Sequence, residues 1–366
     1  MIRTTLSESI IVSIPGVEAS VSSWSRSRKH WRMEGTAVER LSGFLARFSN
    51  SHRLSLQRGS GLEKDRVMRN LAELTGLIER HAPTDGVTAT RLPRVALLRS
   101  SAPTEPLHTM YDPSVCFVAQ GRKRAHLEGV EYLYQSSEYL IVGVDLPVIG
   151  AVIEASPGAP YLCFKLQLDR SVLVDMLPDA RPERSGPPIS VAAATPELID
   201  AAARMLRLLD APDDIEALAP LIEREILHRL LNGPQGTVLR QIAVVESRLS
   251  RIRDAIQYLT EHFHETFSVE ELAVRVGMSP SSFYEQFRQT TMMTPLQFRN
   301  HLRLQEVRRL MLSEGVTAAE AGFRVGYESP SQLSRDYARI HGMPPKQDVA
   351  RLKRLLPAEV AVDTAL

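Results

Sequence analysis

Two cysteines in 366 residues cannot build a disulfide framework, and so few thiols suit a reducing compartment. No run of about 18 apolar residues occurs, so no helix of this chain is expected to cross a membrane. Neither sign of charge is in excess: 44 Lys and Arg stand against 43 Asp and Glu, a formal net charge of +1. Averaged over the chain, that balance argues against a polyanionic partner. The average must be retaken domain by domain, since at about 150 residues per domain the chain holds two or three. What is present in ordinary amount is apolar side chain, 43%, enough for a core in each.

Residues 1–65 differ from the rest. Serines and basic residues cluster in Ser22-Ser23-Trp24-Ser25-Arg26-Ser27-Arg28-Lys29. Ile10-Ile11-Val12 is too short for a secretory apolar core. A transit peptide, a disordered extension, or a start placed too early all fit, with Met33 and Met68 as later candidate starts. From about 66, Val67, Leu71, Leu74, Leu77 and Ile78 recur at helical spacing. Residues 88–170 then read as strands. Leu162, Phe164, Leu166 and Leu168 alternate with Tyr161, Cys163, Lys165 and Gln167, the pattern of a half-buried strand. His126 to Tyr132 reads as a hairpin tip, and Glu138 to Val144 as a buried strand. Short strands punctuated by Gly and Pro predict a small barrel or sandwich. A Pro/Arg/Gly-rich loop near Pro178 to Pro188 closes it. Thr195-Pro196-Glu197 opens a capped helix, and 217–232 forms a second amphipathic helix stopped by Gly233-Pro234. Its stripe serves the core or a dimer seam.

An internal repeat is the most informative feature. Ser268-Val269-Glu270-Glu271-Leu272-Ala273-Val274-Arg275-Val276-Gly277-Met278 returns as Thr317-Ala318-Ala319-Glu320-Ala321-Gly322-Phe323-Arg324-Val325-Gly326-Tyr327. Each copy starts at a Ser/Thr cap, runs two helical turns and stops at a glycine able to take positive φ. Ser279-Pro280 and Ser329-Pro330 then start a second helix in each copy. Helix, glycine turn, helix is the helix-turn-helix pattern, whose second helix lies in the major groove. Gly277 and Gly326 are 49 residues apart. Leu302, Val307, Leu310 and Met311 mark a long helix between the copies that would fix their spacing.

The block Arg251 to Leu355 resembles the DNA-binding domain of the AraC/XylS family of bacterial transcription regulators. The resemblance is carried by Val325-Gly326-Tyr327-Glu328-Ser329-Pro330-Ser331-Gln332-Leu333-Ser334-Arg335 and His341-Gly342-Met343-Pro344-Pro345. Upstream, Tyr111 to Lys123, Asp145-Leu146-Pro147-Val148 and Glu154-Ala155-Ser156-Pro157 resemble the cupin-like N-terminal domain of one subgroup. Ala321 and Gly322 depart from the family pattern, and glycine costs about 1 kcal/mol inside a helix, so a less rigid helix is expected there. Between Arg248 and Arg354 there are 16 Lys and Arg against 12 Asp and Glu, a net +4 hidden in the chain's +1.

The resemblance implies an α+β chain: a cupin-like β-barrel with flanking helices, then an all-α domain of two helix-turn-helix units joined by a long helix. The expected divisions are the extension 1–65, a sensor or dimerisation domain 66–190, a helical dimerisation or linker region 191–247, the DNA-binding domain 248–356 and a tail 357–366. Ser281, Ser282, Tyr284 and Glu285 in one reading helix, and Ser331, Gln332, Ser334 and Arg335 in the other, are the outward positions expected to meet DNA. Arg335 is suited to guanine O6/N7 or to a phosphate; Glu285 accepts from cytosine N4 or stays with solvent. Ser279 and Ser329, at helix N-termini, and Arg288, Arg299 and Arg339 are phosphate candidates.

In the β domain, Cys116, His126, Tyr139 and Phe164 are the candidate effector residues, with Tyr132, Tyr134 and Tyr161 as further pocket linings. Cys116 and Cys163 are either inert core or open to electrophiles and oxidants. No His-x-His, the pair that metal-binding cupins use, occurs in this region, so no metal and no cofactor are expected. The reading is a cytoplasmic regulator and not an enzyme. Its expected partners are double-stranded promoter DNA, RNA polymerase, a small-molecule effector and a second copy of the chain, with no membrane. The alternatives are a DNA-binding regulator without ligand, and a cupin-type enzyme with a helical appendage.

Overall fold

The computed structural model describes four short strands within residues 11–33, then residues 65–177, 187–243 and 248–355. The early strands form two hairpins, β1 (Ile11–Ile14) with β2 (Val17–Ser20) and β3 (Trp24–Ser27) with β4 (His30–Met33), in a unit Met1–Asp65. The rest of the expected extension, the loop at 178–186 and the tail 357–366 lie outside the described residues.

In the second unit, Arg66–Leu366, helix α1 (65–81) buries Leu71, Leu74, Leu77 and Ile78, the apolar spacing visible in the sequence. Nine strands follow: β5 (Gly86–Ala89), β6 (Val95–Ser100), β7 (Leu107–Tyr111), β8 (Ser114–Gln120), β9 (Arg122–Leu127), β10 (Val130–Gln135), β11 (Glu138–Val142), β12 (Leu146–Glu154) and β13 (Tyr161–Gln167). After α2 (Arg170–Met176) and β14 (Ile189–Ala193) come α3 (Pro196–Arg207), α4 (Ile215–Leu231) and α5 (Gly236–Ala243).

The expected barrel does not close. The strands form a six-stranded sheet, β14-β11-β8-β13-β6-β5, and a four-stranded sheet, β10-β9-β12-β7, with every described neighbour antiparallel. β8 bonds β11 and β13 and makes no ladder to the smaller sheet. Cys116, Val118, Leu140, Val142 and Cys163 pack with Ala125, Leu127, Tyr134, Leu146 and Val148 between the sheets. Val115, Phe117, Ile141, Leu162, Phe164 and Leu166 face the other way, under α1, α3, α4 and α5. The larger sheet is therefore buried on both sides, and β13, expected to be half-buried, is covered on both faces. Of its polar alternates, Tyr161 and Cys163 turn into the space between the sheets, while Lys165 is half-buried and Gln167 reaches solvent at the strand end. One buried charge in this shell, Glu223 of α4, is held by the fork of Arg94 at 2.5 and 3.1 Å, as a buried carboxylate requires.

The C-terminal domain comprises α6 (Arg248–His262), α7 (Val269–Arg275), α8 (Pro280–Thr291), α9 (Pro295–Ser313), α10 (Ala318–Arg324), α11 (Pro330–His341) and α12 (Pro345–Leu355). α7–α8 and α10–α11 are the two repeat copies. Leu302 of α9 joins the first unit's core, while Leu304, Val307, Leu310 and Met311 enter the second. The offset between copies is 49 residues from Ser268/Thr317 to Gly277/Gly326 and 50 from Ser279/Ser329 onward. One extra residue, Glu328, therefore lies in the second turn. Gly322, expected to loosen α10, is a packing residue: a Cβ there would lie 2.8 Å from Leu333 Cδ2, so its absence lets α10 and α11 approach.

Both turns end their first helix with the same backbone bonds. Met278 N–H donates to the Ala273 carbonyl at 2.9 Å, and Tyr327 N–H to the Gly322 carbonyl at 2.9 Å, with Gly277 at φ 65° and Gly326 at φ 88°. Their surroundings differ. A Cβ on Gly277 meets nothing within 4 Å, whereas one on Gly326 would sit 2.3 Å from the His264 carbonyl oxygen. Gly277→Ala is expected to cost about 1–2 kcal/mol, the left-handed strain alone. Gly326→Ala should cost about 3 kcal/mol or more, because backbone must also move. Equal unfolding midpoints in urea for the two variants would contradict this account.

Candidate functional site

Each reading helix begins at a serine whose hydroxyl caps it. Ser279 Oγ accepts from Ser282 N at 3.4 Å, and Ser329 Oγ accepts from Ser331 N at 3.2 Å. Pro280 and Pro330 follow at the first helical position, where the missing N–H is no loss. The first helices are capped likewise by Ser268, with a reciprocal bond from Glu271, and by Thr317. With Phe283 and Phe287 buried in α8, and Leu333 and Tyr337 in α11, helical geometry sends the intervening residues outward. Ser281, Tyr284 and Glu285 are exposed and Ser282 is half-buried; Ser331, Gln332, Ser334 and Arg335 are all exposed. The structure thus gathers all eight expected positions on the outer faces of two N-terminal helix halves.

The cations around them fall into two kinds. Arg335 and Arg288 are exposed, and among the described residues their guanidinium groups meet no acid. Arg339 is committed to Asp336 at 3.0 Å. Arg299 is half-buried, its guanidinium 5.2 Å from the centre of the Phe267 ring, which removes it from the free surface expected of a phosphate partner. Glu285 accepts from Gln289 Nε2 at 3.1 Å within its own helix.

Two buried arginines of α9 set where the units stand, and sequence reasoning missed both. Arg303 donates to four carbonyl oxygens: Phe263 at 2.6 Å, Gly326 at 2.9 Å, and His264 and Glu265 at 3.1 Å each. It ties the segment after α6 to the turn of the second unit. Burial pulls its pKa down, with Arg299 adding to the effect. Arg308 donates to Asp348 at 2.7 Å, His341 Nδ1 at 2.7 Å and Tyr337 Oη at 3.3 Å. Burial pushes the Asp348 carboxyl up, but Arg308 and donations from Tyr337 and Arg351 outweigh it and hold the group below its ordinary range. The available signal was position: both arginines stand among the inward residues Leu302, Leu304, Val307 and Met311.

The same helices touch the β domain. Arg308 reaches the His108 carbonyl of β7 at 3.4 Å, and the His108 ring stands edge-on to His341 at 4.3 Å. Arg351 of α12 pairs with Glu105 at 3.4 Å, and His301 of α9 approaches Glu128 of the β9–β10 turn at 3.9 Å.

The four effector candidates are not brought together. Cys116 faces the space between the sheets. Tyr139 and Phe164 lie on the opposite face of the same sheet, where both pack against Phe117, at 5.7 and 5.8 Å between ring centres. His126 is half-buried on β9, between the inward Ala125 and Leu127. Strand alternation separates them: 116 and 117 cannot share a face, and Phe117 is opposite both Tyr139 and Phe164 in register. Tyr134 and Tyr161 are inward, beside Cys116. Among the described residues no group of three His, Cys, Asp or Glu could hold a metal ion, and no helix is long and apolar enough to cross a membrane.

Comparison with known proteins adds two family matches. The model of the AraC-type transcriptional regulator N-terminus matches residues 91–238, and that of a helix-turn-helix domain matches 272–351. The arabinose operon regulatory protein of Salmonella typhimurium is 29% identical over 123 residues, 32% of this chain and 44% of that protein. The transcriptional activator RhaS of Escherichia fergusonii is 28% identical over 145 residues, 39% of this chain and 50% of that protein. The chain thus spans about half the length of these curated relatives. Among solved structures, ToxT from Vibrio cholerae bound to (E)-4-(8-methylnaphthalen-1-yl)but-3-enoic acid aligns over 70% of this chain and 98% of its own, with 11% identity and a TM-score of 0.49.

The histidines at the contact between domains carry a pH signature. Burial, then Arg308, pushes His108 down to about 3; burial, then Arg339, pushes His301 down to about 4. His341 is driven well below its ordinary range by burial, Arg308 and His108. These folded values lie below the unfolded value of 6.5, so the stability they confer is complete above it and is lost as pH falls toward 4. The melting temperature of the full chain is expected to drop between about pH 7 and pH 5, and to drop less in His301→Gln. Parallel pH profiles for variant and parent would remove His301 from this account.

Proposed function

We propose that this chain, which belongs to the AraC family of transcriptional regulators, binds double-stranded promoter DNA in a sequence-specific way and that its β domain takes a small effector. The observation that carries the reading is the pair of exposed reading faces on α8 and α11, set apart by a single helix with buried arginine anchors. Such a frame presents two recognition helices to successive major-groove segments on one side of the duplex. Arg335, exposed and with no acid partner among the described residues, reads guanine through O6 and N7; Gln332 and the serines around it suit base-edge hydrogen bonds. Ser279, Ser329 and the exposed Arg288 anchor phosphates through helix N-termini and charge. Arg339 is a lesser phosphate contact, since Asp336 already engages it.

Effector binding shifts the arrangement of the two domains by favouring one of two states, through contacts such as Arg308 with His108. RNA polymerase and a second copy of the chain are the macromolecular partners this role calls for, in the cytoplasm where promoter DNA lies. The regulatory names of the relatives support this class over a cupin-type enzyme. A second reading, a β domain that only pairs subunits, draws on the side chains that fill the space between the sheets.

Selection of bound sequences from a randomised duplex library tests the DNA reading. Arg335→Ala should weaken the preferred site by about 1–3 kcal/mol and relax preference at one position. Arg288→Ala should weaken all sequences alike and reduce the salt dependence of binding. A uniform loss in Arg335→Ala would reassign that residue to phosphate.

A further inference from the structure

The space between the two sheets is apolar at its centre and chemically unusual at one end. Cys116 of β8 and Cys163 of β13 both face inward there. The register sets Cys116 opposite Lys165 and Cys163 opposite Val118, so the two cysteines are diagonal neighbours on adjacent strands. Cys163 Sγ lies 3.6 Å from the Phe164 carbonyl oxygen, the acceptor for its proton. Two ammonium groups share this end. Lys165 pairs with Asp112, and Lys123 of β9 lies 5.4 Å from the Tyr111 ring centre and 5.9 Å from that of Tyr161. Tyr161 is buried in the same packing as the two cysteines.

We infer that Cys116 and Cys163 are an oxidant-responsive pair, in which Cys116 reduces a small hydroperoxide and Cys163 resolves the product to a disulfide. This deepens the effector reading of the β domain, on which it rests, by naming a class of effector. The two sulfurs are not equivalent. Cys116 is 9% exposed beside the Asp112–Lys165 pair, whose side chains are each 28% exposed, whereas Cys163 is 0% exposed. The neighbouring Cys163 thiol pulls the Cys116 thiol down, with Lys165 and Lys123 assisting and burial opposing. A thiolate is the nucleophile, and Cys116, the more exposed sulfur and the one opposite Lys165, is the one a peroxide reaches first.

The atoms balance. The Cys116 thiolate attacks the terminal peroxide oxygen: an S–O bond forms, the O–O bond breaks, and the leaving oxygen takes a proton from solvent to depart as alcohol or water. Cys163 sulfur then attacks Cys116 sulfur: S–S forms, S–O breaks, and hydroxide leaves as water with the Cys163 proton. Two electrons pass from the thiol pair to the peroxide. Diagonal strand neighbours stand about 7–8 Å apart at Cα, whereas a disulfide prefers less than about 6.8 Å. Closure therefore requires β8 and β13 to slide along one another near Cys163, where their register already shifts. The apolar packing that includes both cysteines runs on without a break into the core of the first helix-turn-helix unit, Ile252, Phe283 and Phe287.

The test uses the reduced full-length chain, hydrogen peroxide, rapid alkylation and peptide mass mapping. The expected product is a peptide pair linked through Cys116 and Cys163 with loss of two hydrogens. It should form roughly tenfold or more faster in the native chain than in urea at neutral pH, because the fold holds the two sulfurs on adjacent strands and makes the second step intramolecular. In Cys163→Ala, Cys116 should accumulate a sulfenic acid that dimedone traps; in Cys116→Ala, Cys163 should stay unmodified. The proposal is overturned if both thiols of the native parent survive a dose that oxidises the urea-unfolded chain, or if Cys163 is modified first. Retention of a promoter fragment, measured on the same reduced sample, separates the two readings. A chain that forms the disulfide but retains no DNA overturns the DNA reading alone.

Discussion

The Arg303 guanidinium is the constraint on which the helix-turn-helix half depends. It is buried and surrounded by backbone carbonyls, with no carboxylate among its hydrogen-bond acceptors. Those carbonyls come from the segment between α6 and α7, at the entry to the first unit, and from the glycine turn of the second. One side chain on α9 therefore fixes the angle between two helical units that share no sheet and little else. Gly326 has to be glycine for the same reason: the space a Cβ would fill is taken by the His264 carbonyl and Arg303 itself. A charged group in this position stabilises little by its charge. Its value is geometric, since four directed donations specify one arrangement where an apolar contact would tolerate several.

Arg308 repeats the device five residues later in a different chemical form. Here a carboxylate, a phenol and an imidazole complete the shell, and a carbonyl of β7 is added from the other domain. The second unit is thus bonded to the β domain through the helix that positions it. The first unit is joined to the β domain by apolar packing continuous with the interior between the sheets. The two units are coupled to the same domain by unlike physics, one polar and pH-dependent, the other apolar.

The β domain inverts the usual arrangement of a half-exposed antiparallel sheet. Helices cover one face of the six-stranded sheet and a smaller sheet covers the other, so the polar alternates at its middle are shut away from water. Lysines, tyrosines and thiols are gathered between the sheets as a consequence, and each must find its partner there. That is why the interior has chemistry at all.

Much of the C-terminal half could be read directly from the sequence. Caps, proline positions, the glycine turns and the outward reading residues depend on neighbours within a few positions, and the repeat displayed them twice. Arg303 and Arg308 escaped because their partners lie 23 to 40 residues away within the domain, and 200 away in β7. In the β half, strand existence was legible and strand facing was not. Alternation gives two faces but does not say which is wet, and here both are covered along most of their length. Cys116, Tyr139, Phe164 and His126 were therefore grouped by residue type and separated by register. By itself the sequence determined the helical repeat, its caps and its turns, because local backbone chemistry specifies them. Only the tertiary structure decided the sheet partition, the shared neighbourhood of Cys116 and Cys163, and the spacing of the two readers, because those depend on hydrogen bonds and packing between distant segments.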